Sequence, residues 1–133
     1  MPDRDHPHPP RGRILVADDE PHIRRILTTF LEASGFMVDE ARDGAEAMEL
    51  LRGPTPYDLA LLDIMMPEHT GLEVLDFGRR LPHREGLPIV ILTAKGQDAD
   101  REAAFRLGAD DFLTKPFSPK KLLARIHELL GSP

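Results

Sequence analysis

Residues 59–67 read Leu-Ala-Leu-Leu-Asp-Ile-Met-Met-Pro, and this stretch carries the feature that decides the fold. Its apolar run lacks the alternation of a half-exposed strand, which favours a strand buried on both faces. Asp63 follows the run directly, where a strand of an open parallel sheet ends and its binding crevice begins. Three further short runs have the same character, at residues 14–17, 89–92 and, more weakly, 111–114. A buried helix segment is the alternative for any one run, but four short runs bounded by polar or turn residues favour strands.

Amphipathic stretches separate these runs and predict helices. Apolar residues between Ile23 and Leu31 follow the i, i+3, i+4, i+7 spacing of one helix face, and those between Leu122 and Leu130 repeat it after Ser118-Pro119. Shorter helical patterns cover residues 44–52, 71–81 and 98–107, and residues 36–40 suit an additional strand. The predicted order is βαβαβαβαβα, an α/β fold in which right-handed crossovers place helices on both faces of a parallel sheet.

Length and composition are those of one ordinary globular domain. The chain has 133 residues, of which 41% are hydrophobic and 30% charged, enough for one core and too few for two. No apolar run approaches the length that spans a bilayer and no signal peptide is visible, so a cytoplasmic protein without a membrane segment is expected. The absence of cysteine excludes disulfides and thiol chemistry. The formal net charge of −6 argues against direct binding to nucleic acid.

The two ends of the chain carry separate expectations. Residues 1–12 contain four prolines and no aliphatic residue beyond Met1, which predicts a disordered tail ahead of a folded domain at residues 13–130. The sequence stops soon after the last helical pattern, so we expect no output domain in it. Whether the chain is a natural single domain or an excised part of a DNA-binding regulator stays open.

Polar residues that follow the predicted strands carry the chemistry. Asp18, Asp19 and Asp63 would bring three carboxylates close together, where two like charges about 4 Å apart repel by roughly 4 kcal/mol. A cation is therefore expected among them, and ligands that are all oxygens suit Mg²⁺ or Mn²⁺. Lys115 adds a point charge suited to a phosphoryl oxygen, and Thr93 adds a hydroxyl. An N-cap or loop carboxylate is the alternative for each aspartate alone, but the combination matches phosphoryl transfer onto a carboxylate.

The motifs resemble the receiver domain of two-component response regulators. The matching segments occur in order over about residues 12–130, namely residues 14–20, 61–67 with Gly71, 92–94 and 108–117. The resemblance implies a flavodoxin-like (βα)5 domain with a doubly wound five-stranded parallel sheet. It also implies phosphate transfer from a sensor histidine kinase or phosphotransfer protein. The domain would assist its own phosphorylation and dephosphorylation rather than act as a dedicated enzyme.

The resemblance implies a role for each residue around the phosphate. Asp63 would be the phosphoacceptor, Asp19 and Asp63 direct metal ligands, and Asp18 a ligand largely through water. Met65 would ligate through its backbone carbonyl. The same residue stands where a dehalogenase-type phosphatase needs an aspartate as acid and base, which argues against that enzyme. His69 lies in the neighbouring loop, and we expect an exposed loop histidine rather than a phosphate relay.

The resemblance also implies a switch. Thr93 would be the hydroxyl that moves toward the phosphoryl oxygen, with Lys115 as the ion-pair partner of the phosphate. The Lys115-Pro116 bond would be cis, which X-Pro bonds tolerate at small cost. Phe112 would be the switch aromatic, and because many family members have tyrosine there, its missing hydroxyl leaves rotation into the core as the expected readout.

The output surface is expected on the fourth helix, fifth strand and fifth helix, as in the OmpR-like class. Asp111 and Arg125 retain one charge pair of the dimer found in that class. Lys121, however, stands where the class usually has an acid opposite Arg101, so a second pair of that dimer would become a like-charge contact. Phe105 would point to solvent opposite a buried helix face, formed by Ala99, Ala103 and Leu107. We therefore expect a different protein partner and a monomer, with dimerisation on phosphorylation as the alternative. An interaction module that works without phosphorylation is the other alternative.

Overall fold

A computed structural model of the chain describes residues 11–94, 98–115 and 118–131. Within these ranges five strands and five helices alternate in the predicted order. The strands are β1 (Arg13–Ala17), β2 (Met37–Ala41), β3 (Leu59–Asp63), β4 (Ile89–Thr93) and β5 (Asp111–Thr114). The helices are α1 (Pro21–Ala33), α2 (Gly44–Arg52), α3 (Gly71–Arg79), α4 (Asp98–Arg106) and α5 (Pro119–Leu130), with a 3-10 turn at Pro82–Arg84.

The five strands pair in parallel in one sheet of order β2-β1-β3-β4-β5. The chain passes from one side of β1 to the other between β2 and β3, and in open α/β sheets ligands bind beyond the carboxyl ends of strands at such a switch point. The central strands are buried on both faces, as predicted: β3 and β4 are buried over their whole length, and β1 from Ile14 onward. Edge strand β5 is only partly buried.

The core lies in two layers, one on each face of the sheet. Successive side chains of a strand point to opposite faces, so Leu15 and Leu62 enter one layer while Ile14 and Leu61 enter the other. Helices α2, α3 and α4 cover the first layer, and α1 and α5 cover the second. Each fully buried leucine or isoleucine stabilises the fold by about 1.5–3 kcal/mol. Strands β1 and β3, whose ends carry the acidic residues, are therefore packed on both faces.

Several predicted boundaries differ from the observed ones by one or two residues, and backbone hydrogen bonding explains two of them. Phe36 was assigned to the second strand, but its amide donates to the carbonyl of Leu31 (3.1 Å) and so completes the end of α1. Strand β2 therefore begins at Met37, paired with Arg13. The third helix was expected to reach residue 81 but ends at Arg79, because the amides of the next two residues bond three residues back.

The start of the folded part also differs from the expectation. Arg11 and Gly12 were assigned to the tail, but the amide of Arg11 donates to Gly35 (2.9 Å) and the carbonyl of Gly12 accepts from Met37 (2.9 Å). The rest of the predicted tail, residues 1–10, lies outside the described residues, as does Pro116 with the predicted cis peptide. No helix in the described ranges is long and apolar enough to cross a membrane.

A buried arginine, absent from the sequence prediction, joins the end of α2 to Tyr57, which lies in the loop before β3. Arg84 is 4% exposed, and its guanidinium donates to the carbonyls of Leu51 (2.9 Å) and Gly53 (3.0 Å) while lying over the Tyr57 ring. The hydroxyl of Tyr57 in turn donates to Asp39 (2.7 Å) on β2. Burial, followed by the hydrogen bond and charge of Asp39, raises the pKa of Tyr57 above its ordinary value.

Candidate phosphoacceptor and metal site

Three carboxylates meet beyond the carboxyl ends of β1 and β3, as the sequence predicted. Asp18 and Asp19 follow β1, and Asp63 is the last residue of β3. One carboxylate oxygen from each residue lies within 4.8 Å of the others. Asp18 and Asp63 are only 1% and 5% exposed, whereas Asp19 is exposed. Among the three aspartates, only Asp19 is therefore open to solvent.

Lys115 is the cation among these carboxylates in the described part of the chain. Its Nζ donates to Asp18 Oδ2 (2.8 Å) and to Asp63 Oδ2 (3.1 Å). The backbone amide of Lys115 donates to the carbonyl of Thr93 (2.7 Å), which fixes the end of β5 against the end of β4. Three carboxylates and one ammonium leave two negative charges, so the site still favours a divalent cation.

Burial and charge act in opposite directions on the two central groups. Burial raises the pKa of Asp63 above its ordinary value, and the charge and hydrogen bond of Lys115 offset only part of that shift. For Lys115, burial alone would lower the pKa, but the hydrogen bond to Asp18 and the charges of Asp63 and Asp18 outweigh it and raise the pKa. Lys115 therefore stays protonated at neutral pH, and the anionic form of Asp63 gains from any added positive charge.

Backbone and side-chain contacts hold the turn that carries Asp18 and Asp19. The amide of Glu20 donates to Asp18 Oδ1 (3.0 Å), and the amide of Asp18 donates to Ala41 (3.1 Å) at the end of β2. Arg24 on α1 donates from Nη1 to the backbone oxygen of Asp18 (2.7 Å). Arg24 was not predicted from the sequence. An arginine that bonds a backbone oxygen occupies the same position in an amphipathic pattern as an arginine that faces solvent.

The loop after β3 packs directly beneath Asp63. Gly71 begins α3, and a Cβ atom at this position would overlap the backbone carbonyl of Asp63. Its amide donates to the carbonyl of Ile64 (3.0 Å). Gly44 at the start of α2 meets the same loop, where a Cβ atom would overlap the backbone of His69. Gly71 belonged to the sequence motif, whereas Gly44 was not singled out.

This loop also contains Met65, predicted to be a metal ligand through its backbone, and His69, predicted to be an exposed loop histidine. Met65 is 62% exposed, and its amide donates to Asp63 Oδ1 (3.2 Å), so its backbone lies beside the acidic cluster. His69 has a side chain that is 43% exposed, with Nδ1 3.8 Å from Glu73 Oε1. That position fits the expected loop histidine, with a partly exposed side chain.

The predicted switch residues lie on the next two strands. Thr93 ends β4 and is 1% exposed, and Phe112 on β5 is 3% exposed. The guanidinium carbon of Arg101 lies 5.7 Å from the centre of the Phe112 ring and 5.4 Å from that of Phe105. Phe105 is 42% exposed, as predicted. Arg101 therefore connects a buried aromatic ring to an exposed one.

The buried face of α4 differs from the prediction. Ala99 was expected to be buried but is exposed, while Ala104 is completely buried and Ala103 and Leu107 are half-buried. Ala99 lies in the first turn of the helix, whereas Ala104 sits one turn later and packs into the core layer that also contains Phe112. Nearby, Arg125 Nε and Asp111 Oδ2 form an ion pair of 2.6 Å within the chain.

Comparisons with known proteins agree with this geometry. The family model described as response regulator receiver domain matches residues 14–127. The chain is 44% identical over 119 residues to the transcriptional regulatory protein ResD of Bacillus subtilis, covering 89% of this chain and 48% of that protein. It therefore spans about half the length of the curated relatives it matches.

Solved structures show the same fold. The receiver domain of Francisella response regulator 1452 matches with a TM-score of 0.83 and 33% identity, covering 91% of this chain and 98% of that one. The receiver domain of a sensor histidine kinase of Pseudomonas aeruginosa PAO1 matches with a TM-score of 0.84 and 28% identity, covering 91% and 97%. That protein holds a magnesium ion in its active-site cleft.

Proposed function

This chain belongs to the family of response regulator receiver domains, and on that premise we propose that it accepts a phosphoryl group on Asp63 from a sensor histidine kinase or a phosphotransfer protein. The observation that carries the proposal is the buried Asp63 carboxylate, with Lys115 Nζ at 3.1 Å and two further carboxylates within 4.8 Å. The chain would act as a phosphoacceptor that assists its own phosphorylation and dephosphorylation, and not as a dedicated enzyme.

The chemistry is a displacement at phosphorus. An oxygen of Asp63 forms the new O–P bond while the P–N bond of a phosphohistidine donor breaks, and the leaving imidazole nitrogen keeps the bonding electron pair. Lys115 Nζ, which now bonds Asp63, would donate to a phosphoryl oxygen in the product. The hydroxyl of Thr93, at the end of the neighbouring strand, would donate to another. An acyl phosphate on the aspartate is the product.

The residues present fit a divalent cation of the magnesium type. The donors are carboxylate oxygens from two strand ends, and no nitrogen or sulfur ligand is among the described members of the cluster. Asp19 and Asp63 would bind Mg²⁺ or Mn²⁺ directly, Asp18 largely through water, and Met65 through its backbone carbonyl. When bound, the ion supplies positive charge against the phosphoryl oxygens.

Phosphorylation from a small donor tests the proposal. With Mg²⁺ and acetyl phosphate or phosphoramidate, intact-mass analysis should show the gain of one phosphoryl group, which hydroxylamine should remove because it is an acyl phosphate. Asp63→Asn should abolish the adduct, and His69→Gln should leave it unchanged. An adduct that survives in Asp63→Asn, or maps to His69, refutes the assignment. A wild-type protein that takes up no phosphate would favour the interaction module that works without phosphorylation.

The output is proposed to pass through the surface of α4, β5 and α5 to a partner protein or to a domain outside this sequence. Arg101 supports this route, because it contacts both the buried Phe112 ring and the exposed Phe105 ring. Asp111 and Arg125 already pair within the chain, so they are occupied rather than free for a second copy. The exposed Phe105 would then meet a different protein.

The oligomeric state of the activated protein tests this part of the proposal. Sedimentation with Mg²⁺ and beryllofluoride should show a monomer at micromolar concentration, because Lys121 and Arg101 would face each other as like charges in an OmpR-like dimer. Lys121→Glu removes that repulsion and should promote dimerisation. A tight wild-type dimer that Lys121→Glu leaves unchanged would contradict the proposal.

A further inference from the structure

We infer that Arg24 is a positioning residue for the metal site, because it holds the peptide that joins Asp18 to Asp19; the inference rests on the proposed function. Arg24 Nη1 donates to the backbone oxygen of Asp18 (2.7 Å), and Nε donates to Glu40 Oε1 (2.9 Å). The side chain of Arg24 is only 11% exposed, compared with 41% for Glu40. One guanidinium therefore ties α1, the acidic turn and the end of β2 together.

The bonded oxygen belongs to the peptide unit between the two aspartates. The other contacts of this turn act on Asp18 itself, since its amide donates to Ala41 (3.1 Å) and its Oδ1 accepts from Glu20 (3.0 Å). Asp19 is exposed, so little packing restrains its side chain. Arg24 thus fixes the peptide plane from which the exposed carboxylate projects toward Asp63. A rigid support of this kind keeps a ligand in place before the ion arrives.

Two of the three guanidinium nitrogens, Nη1 and Nε, are used, which makes the residue type matter. The planar fork of arginine presents Nη1 and Nε in fixed directions toward two acceptors, whereas a lysine ammonium is a single point on a flexible stem. Lysine at this position keeps the charge but cannot span the backbone oxygen of Asp18 and the Glu40 carboxylate in the same way. Arg24→Lys therefore separates geometry from charge.

A purely electrostatic role would have the opposite sign. The positive charge of Arg24 lies close to a site that is proposed to bind a cation, so its removal alone would strengthen metal binding. A positioning role predicts weaker binding instead. Arg25, the exposed neighbour on α1, provides a matched control, because Arg25→Gln removes the same charge from the same helix turn.

The test is the affinity of the full chain for Mn²⁺ alone, read from the electron paramagnetic resonance signal of free Mn²⁺. Arg24→Gln and Arg24→Lys should each weaken binding about tenfold, the lower end of the effect of removing a support behind a metal ligand. Arg25→Gln should bind as the wild type does, or slightly tighter. Asp19→Asn should lose most of the binding, which shows that the signal reports this site. Thermal melts establish that each variant is folded.

The Mg²⁺ dependence of phosphorylation gives a second readout that a merely structural defect would not reproduce. In Arg24→Lys the Mg²⁺ concentration for half-maximal rate should rise about tenfold, while the rate at saturating Mg²⁺ returns near that of the wild type. Unchanged or tighter Mn²⁺ binding in Arg24→Lys overturns the inference, even if Arg24→Gln does not fold. A wild-type chain that binds no Mn²⁺ refutes the proposed function itself, and with it this inference.

Discussion

Replacing Asp63 with asparagine should stabilise the metal-free protein, although the change removes one of the two carboxylates that Lys115 contacts. Asparagine has the shape of the aspartate without its charge, so the comparison isolates electrostatics. The carboxylate is 5% exposed at the end of β3, where it faces two other carboxylates and one ammonium. The sign of the effect depends on which of these interactions is larger.

The distances allow an estimate of that balance. Carboxylate oxygens within 4.8 Å of one another repel by about 3.5 kcal/mol per pair at an effective dielectric of 20. On the same basis, Lys115 at 3.1 Å attracts Asp63 by about 5 kcal/mol. Solvent screens the exposed Asp19, which lowers its share, but the cost of burying the Asp63 charge adds to the repulsive side. The raised pKa of Asp63 points the same way, because the fold disfavours the anion.

We therefore expect Asp63→Asn to stabilise the apo protein by about 1–2 kcal/mol, which for a domain of this size raises the melting temperature by about 3–8 °C. Thermal denaturation in the presence of a chelator measures it. Asp76→Asn, which removes a partly exposed carboxylate paired with Arg80, is the control and should change stability by less than about 1 kcal/mol. Added Mg²⁺ should stabilise the wild type more than Asp63→Asn. Equal or lower stability of Asp63→Asn without metal would show that the attraction to Lys115 dominates.

Two further predictions concern the structure around the site. Tyr57 is the single tyrosine and there is no tryptophan, so tyrosinate absorbance reports it alone. Because burial and Asp39 raise the pKa of Tyr57, tyrosinate should be scarce in the folded protein near pH 10. The stability of the fold should decrease as pH rises above about 10, because there only the unfolded chain releases the proton. Half-ionisation of Tyr57 at that pH in the folded state would contradict this. Gly71→Ala should destabilise by about 2–3 kcal/mol in urea denaturation, because its Cβ would meet the backbone of Asp63, whereas Gly86→Ala, with open space around it, should be within about 0.5 kcal/mol of the wild type. Equal midpoints for the two glycine variants would show that the loop after β3 yields easily.

The amino-acid sequence by itself determined the order of the elements and the strand ends that carry the site. The run before Asp63 is short, apolar and without alternation, and such a pattern identifies a buried strand because burial on both faces acts on every residue. Since parallel strands share one carboxyl edge, the acidic residues at the ends of β1 and β3 had to meet. Local bonding was less predictable: the amide of Phe36 bonds back to Leu31 of α1 instead of starting β2, which residue type does not reveal.

Only the tertiary structure decided how the charged side chains are used. Lys115 bridges Asp18 and Asp63, although the two carboxylates lie far from it along the chain. Arg24 and Arg84 bind backbone carbonyls, yet each has the residue type of a solvated helix or loop position. Hydrophobic periodicity records which faces are buried, but a charged side chain with a long apolar stem fits a pattern whether its head reaches water or a carbonyl oxygen. Its partner is fixed by the distance between elements, which exists only once the sheet and its helices have packed.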